Sequence, residues 1–245
     1  MNANLLEVER LGKRFGGFVA LDGIDFAVAA GERVGLIGPN GSGKSTLVNC
    51  VCGTLANETG TVHFDGAAID GLTTHERTRR GIARSFQLPR PFVTLTVADN
   101  LRVPLLYTVN ARAGQTLTPA EVDARCAELL ALVGLADKVT RLPRDLTQVE
   151  MRKLELARAM AADPKLLMAD ESMAGLSHSE VDDIVGLLVR LNERGITIVL
   201  IEHIMRAVMQ FSQRLVVLVS GKKIADGKPN AVIRDPEVER AYIGQ

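Results

Sequence analysis

The sequence predicts an α/β fold built around a strand, a glycine-rich loop and a helix. Three observations carry that expectation. The apolar run Arg33-Val34-Gly35-Leu36-Ile37 leads straight into Gly38-Pro39-Asn40-Gly41-Ser42-Gly43-Lys44-Ser45-Thr46. Residues 166–169 and 196–201 are continuous apolar stretches, as strands buried on both faces of a parallel sheet require. Residues 90–145, between the loop and those strands, take on helical spacing.

Taken in chain order, the first thirty residues alternate weakly between apolar and polar, which predicts short strands joined by glycine turns. The loop at 38–46 should pass into a helix beginning at Thr46-Leu47-Val48-Asn49. Thr61-Val62-His63-Phe64 reads as a further strand ending at the Asp65-Gly66 turn. Thr118-Pro119-Ala120-Glu121 combines a cap residue, proline at the first helical position and a reciprocal glutamate. Val122, Cys126, Leu129, Leu130 and Val133 follow at helical spacing up to Gly134. After Pro164 the strand–helix rhythm returns, with Ser177 and Glu180 capping a helix that ends near Gly195. Arg214-Leu215-Val216-Val217-Leu218-Val219, the Ser220-Gly221 turn and Lys223-Ile224-Ala225 read as a closing hairpin. There is no internal repeat.

Composition narrows the function classes. The 245 residues carry 29 Lys plus Arg against 29 Asp plus Glu, so no net field favours nucleic acid or an anionic membrane surface. No apolar run reaches the length of a membrane span, and the polar start Met1-Asn2-Ala3-Asn4 does not read as a signal peptide. The expected location is therefore the cytoplasm, with any membrane attachment supplied by another chain. Three cysteines give no disulfide framework, and Cys50 and Cys52 stand two apart on a helix, which is poor geometry for a shared metal. With Cys126 they are expected in the core. Tryptophan is absent and only two tyrosines occur, which leaves little material for stacking nucleobases.

The chemistry concentrates at strand ends. The stretch from Gly38 to Thr46 fits G-x-x-x-x-G-K-[ST], a loop whose backbone N–H groups cradle phosphates. Lys44 would reach the β- and γ-phosphates of a nucleoside triphosphate, and Ser45 would take a place on Mg²⁺. Such a loop needs a carboxylate at a neighbouring strand end, and Asp170 supplies it. Glu171, next to it, suits the orientation or deprotonation of an attacking water. Gln87 follows an apolar segment and would touch Mg²⁺ or water, although an ordinary loop residue fits equally well. His203, beyond the strand ending at Ile201, has the same two readings, one as a donor to the γ-phosphate. Phe15 offers a planar face for adenine, against plain packing beside Gly16-Gly17.

With these residues assembled, the chain resembles the ATP-binding subunits of ABC transporters over nearly its full length. Gly38 to Thr46 looks like Walker A, residues 166–170 like Walker B, and Glu171 like the catalytic glutamate. Gln87 falls at the Q-loop, His203 at the switch histidine and Phe15 at the adenine-stacking aromatic. Gly81-Ile82-Ala83-Arg84-Ser85-Phe86-Gln87 and the ending Val238-Glu239-Arg240-Ala241-Tyr242-Ile243-Gly244 are similar to the ATPases of bacterial branched-chain amino acid importers.

The resemblance implies a P-loop core of the ABC ATPase type in a single domain over 1–245. Residues 1–87 and 146–245 would form the nucleotide-binding core with an N-terminal β-rich subdomain. Residues 88–145 would form a mainly helical insertion whose signature helix continues to about 162. It further implies ATP and Mg²⁺ as cofactors, with Ser45, Gln87 and Asp170 around the metal. A second ABC ATPase would close head to tail on this one, a related chain being expected and a homodimer the alternative. Membrane permeases would be contacted by residues 87–145, and an extracytoplasmic substrate-binding protein would act through them. The chain would then sit at the cytoplasmic face of the membrane. Leucine, isoleucine and valine are the first expectation for the solute, with other amino acids, urea and short amides as alternatives.

Two stretches depart from the family. Where the family has Leu-Ser-Gly-Gly-Gln, this chain has Leu146-Thr147-Gln148-Val149-Glu150. Thr147 keeps a hydroxyl and Val149 a backbone N–H for the partner's γ-phosphate. Both glycines are gone, however, and Glu150 places a negative charge near a polyanion. Ser172 and Ser177 replace the usual Pro and Asp after Walker B. Harmless variation is one reading. The other is asymmetry, in which the chain keeps a complete Walker site and lends a weaker signature to its partner. Two rivals stand beside a transporter subunit: a soluble ABC ATPase in nucleic-acid or translation processes, and a nucleotide-gated interaction subunit with weak hydrolysis. No Asn-Lys-x-Asp run supports a GTPase.

Overall fold

Apolar alternation in the first thirty residues does build strands, and longer ones than the sequence suggests. The computed structural model describes residues 4–85, 89–114, 116–171 and 173–243. In it β1 (Asn4–Phe15) and β2 (Phe18–Ala29) form an antiparallel hairpin. Leu6, Val8, Leu11, Ile24, Phe26 and Val28 are buried beneath it. After β3 (Arg33–Ile37), the phosphate loop and α1 (Lys44–Cys52), the chain returns to this layer through β4 (Thr59–Phe64) and β5 (Ala67–Ala68). The layer has the order β2-β1-β4-β5.

The second sheet holds the chemistry. After α2 (Thr74–Arg80) come β6 (Ile82–Ser85), and later β7 (Leu166–Asp170), β8 (Thr197–Ile201), β9 (Arg214–Val219) and β10 (Lys222–Gly227). Its order is β10-β9-β3-β8-β7-β6, parallel except for the β9–β10 hairpin. The hairpin turn places Ser220 at φ 47° and Gly221 at φ 77°, the pair of positive angles that a tight two-residue turn demands. β7 and β8 are buried along their whole length, as their unbroken apolar sequences require. The ends of β3 and β7 therefore open on one rim, where open α/β sheets bind ligands.

Helices cover this sheet. α3 (Val97–Pro104) runs into a π-helical turn at Leu105–Val109, and α4 (Pro119–Val133) and α5 (Gln148–Ala161) follow. Pro104 lacks the N–H that would continue the α-helical ladder, which explains the change of winding just after it. The predicted face of α4 is real: Val122, Cys126, Leu130 and Val133 are buried, and Leu129 packs half-buried beside them. These residues share one core with Leu101, Leu154, Leu167, Leu200 and the inner face of α6 (His178–Glu193). Thr118 and Ser177 each accept from the backbone N–H three residues on, and Glu121 and Glu180 reciprocate. α7 (Met205–Phe211), α8 (Pro229–Val232) and α9 (Pro236–Ile243) complete the chain.

One buried charge holds the phosphate-loop helix in place. Arg77, only 2% exposed, donates to the carbonyls of Cys50 at 2.6 Å, Val51 at 2.9 Å, and Leu72 and Asp70 at 3.1 Å. It thus satisfies the open carbonyls at the end of α1, where a cation is also favoured by the helix dipole. The cysteines are core residues as expected, all free and buried. Burial pushes the Cys52 thiol up to about 12 and the Cys126 thiol to about 11.

Candidate functional site

The loop between β3 and α1 is shaped by glycines that no other residue could replace. Gly38 has φ 150°, and a Cβ there would lie 2.0 Å from the Leu218 carbonyl. Gly43 has φ 101°, and its Cβ would lie 2.6 Å from the Ala20 carbonyl. The loop is therefore clamped between β2 and the β9–β10 turn, with Gly221 N donating to Ser42 O at 3.0 Å. Lys44 folds back over it and donates to Gly38 O at 2.7 Å and Pro39 O at 2.9 Å. Burial lowers the Lys44 pKa, while the charges of Glu171 and Asp170 oppose that shift.

A cavity of about 210 Å³ lies above the loop, lined by Asn40, Gly41, Ser42, Gly43, Lys44, Ser45 and Thr46 together with Phe15, Phe18, Ala20 and Glu171. The predicted aromatic, residues 40–46 of the anion loop and the predicted base thus line one space. Phe18 was missed by the sequence reading. It stands three residues after Phe15 across the hairpin turn, paired with it in register, and is more exposed at 61% against 48%. An exposed aromatic pair at a strand end is the signal that marks it.

Asp170 ends β7 and is 6% exposed. Its Oδ2 accepts from Arg84 Nη2 at 2.5 Å. Glu171 takes φ 43°, a left-handed conformation that non-glycine residues seldom adopt and that is frequent at functional sites. Its N–H donates to Ile201 O at 2.8 Å, which turns the side chain away from the strand and into the cavity lining. The donor set of Asp170 and Ser45, hard oxygens beside a phosphate cradle, fits Mg²⁺. Among the described residues no cluster of three His, Cys, Asp or Glu could hold a metal.

The remaining predicted residues lie elsewhere. His203 is not among those lining the cavity, and its ring is largely exposed, 3.8 Å from Glu202. Glu202 is buried, accepts from Met173 N at 2.9 Å and from His203 N at 3.3 Å, and so ties the segment after Glu171 to the histidine. Gln87 and Ser172 lie outside the described residues. Thr147 and Val149 stand at the start of α5, away from this cavity.

The α5 start differs from the expectation in two respects. Val149 turns its branched side chain inward against the core, so the exposed side chain that replaces a family glycine is Gln148. Gln148 Nε2 donates to Ala174 O at 3.4 Å. Glu150 is occupied, its carboxylate accepting from Thr147 N at 2.8 Å and lying 3.5 Å from Lys138. These two contacts, the Thr147 hydrogen bond first, hold its pKa below the usual value. Its charge is thus spent on the helix start and Lys138.

Comparison with known proteins agrees with this fold. The sequence pattern of the ABC transporter family matches residues 21–174. The high-affinity branched-chain amino acid transport ATP-binding protein BraF of Pseudomonas aeruginosa is 38% identical, over 100% of both chains. Its counterpart LivG of Escherichia coli is 36% identical, again over 100% of both. A solved ATP-binding cassette of an ABC transporter in its ADP conformation superposes with a TM-score of 0.88 at 32% identity, covering 100% of each chain. A dimeric post-hydrolysis cassette bound to ADP and phosphate superposes at 0.80 with 26% identity, over 91% of this chain and 98% of that one.

Proposed function

The chain belongs to the ATP-binding subunits of the ABC transporter family, and on that premise we propose that it powers import of branched-chain amino acids through a membrane permease. The observation that carries this reading is end-to-end similarity to two branched-chain transport ATPases, in a chain whose anion loop and Glu171 line one cavity, with Asp170 just before Glu171 at the end of β7. We assign membrane attachment to the permease; no helix among the described residues is long and apolar enough to cross a bilayer.

In the proposed reaction the N–H groups from Asn40 to Thr46 and the start of α1 receive the β- and γ-phosphates. Lys44 exchanges its carbonyl partners for phosphate oxygens. Phe15, with Phe18 beside it, covers the adenine. Glu171 orients the attacking water and accepts its proton. Ser45 and Asp170 would hold Mg²⁺, which would supply neutralisation of the phosphate charge. For His203 the proposed role as a donor to the γ-phosphate, and for Gln87 the role at Mg²⁺ or water, rest on the family resemblance alone. Thr147 and the Val149 N–H serve the site of a second ATPase closing head to tail; that such cassettes form dimers is supported by the solved dimeric cassette.

Phosphate release by the chain with its permease tests the proposal. Glu171→Gln should lower turnover on the order of 10²-fold while ATP affinity stays. Lys44→Ala should lower ATP affinity itself. Full turnover in both variants would remove the proposed site.

A further inference from the structure

We propose that Arg84 is a positioning residue for ATP hydrolysis, fixing the Asp170 carboxylate to the phosphate-loop helix through Asn49. Arg84 lies on β6 beside β7, paired in register with Met168. Its Nη2 donates to Asp170 Oδ2 at 2.5 Å and its Nη1 donates to Asn49 Oδ1 at 2.6 Å. The side chains of Arg84 and Asp170 are 16% and 8% exposed, so the pair is largely shielded from water.

The connection matters because of where its ends lie. Asp170 closes β7, whereas Asn49 rides on α1, whose first residues are Lys44 and Ser45. Within the sheet, β7 reaches β3 only across β8. The Arg84 fork supplies a shorter route from the carboxylate to the helix that carries the phosphate ligands. A carboxylate can rotate about two bonds, and a misplacement of about 1 Å can cost on the order of 10²-fold in rate. By holding Oδ2, the fork leaves Oδ1 outside the bridge and removes that rotational freedom. It also compensates a shielded negative charge that would be costly unpaired.

Only a planar guanidinium spans both acceptors. Lysine brings the same charge but as a single point, so it cannot reproduce a two-ended bridge. This separates positioning from charge compensation. The inference rests on the reading of Asp170 as the organising carboxylate, and Asp170→Asn checks that reading on its own.

Arg84→Lys, Asn49→Ala and their double variant are compared with the native chain in three measurements: kcat for phosphate release, ATP affinity in EDTA, and thermal unfolding. We expect kcat to fall on the order of 10-fold or more in each single variant. The double variant should be little worse than either one, because both changes cut the same link. ATP affinity in EDTA should stay within about two-fold, and Asn49→Asp, which keeps an oxygen for Arg84, should lose less kcat than Asn49→Ala. The unfolding effects of the two single changes should likewise be non-additive. A native kcat in Arg84→Lys would reduce the residue to charge compensation and overturn the proposal. So would additive losses, or a parallel loss of ATP affinity. If Asp170→Asn hydrolyses ATP normally, the reading of Asp170 fails instead, independently of the bridge.

Discussion

Glu202 occupies a place where a carboxylate is costly, since it is 2% exposed and burial pushes its pKa up. Hydrogen bonds from the Met173 and His203 amides act the other way but do not reverse the shift. A raised acid holds its proton longer in the folded chain than in the unfolded one. Its contribution to stability is therefore lost as pH rises from the usual value of 4.5 through the folded pKa. Glu202→Gln should gain stability relative to the native protein over that rise, as measured by urea unfolding from pH 4 upward. A difference that stays flat with pH would contradict the assignment. The buried thiols give a second residue-scale expectation. With Cys52 near 12 and Cys126 near 11, neither should be alkylated at about pH 8 until the chain unfolds, because the thiolate is the reactive form.

Among the elements, α1 depends most on a residue distant in sequence. Replacing Arg77 by Ala removes the guanidinium from the carbonyls of Cys50, Val51, Leu72 and Asp70, leaves Cys50 O with only the Gly53 N–H at 3.3 Å, and opens a cavity. The expected loss is about 3 kcal/mol or more in chemical denaturation, with ATP affinity falling as α1 frays. Nothing in the local sequence marks Arg77, because its partners are carbonyls that every residue carries. The cap of α2 was equally readable in principle from Thr73 and Glu76, yet that helix is short and its other residues are mostly polar. By contrast, α4 and α6 were legible because cap, reciprocal glutamate and apolar spacing all agree. The π-helical turn after Pro104 was hidden, since spacing predicts a helix but not its winding. Lys44, Asp170 and Glu171 are legible as candidates from motifs alone, and Phe15 only through the family resemblance. Phe18, Arg84 and Glu202 are not legible, because their roles come from strand pairing and burial.

At the scale of the whole molecule the sequence left open whether the altered signature weakens the site lent to a partner. The inward turn of Val149 and the engagement of Glu150 both lessen the expected penalty, while exposed Gln148 keeps one. In a complex with a second ATPase, Glu171→Gln here should cut turnover more or less deeply than the same change in the partner. Equal losses would point to equivalent sites. The proposed import is tested by leucine accumulation in liposomes holding this chain, a second ATPase and a branched-chain amino acid permease, with a substrate-binding protein supplied outside. ATP-dependent uptake is expected, and Lys44→Ala and Glu171→Gln should abolish it. Uptake at the native rate with either variant, or active phosphate release that never drives leucine entry, would contradict the proposed import.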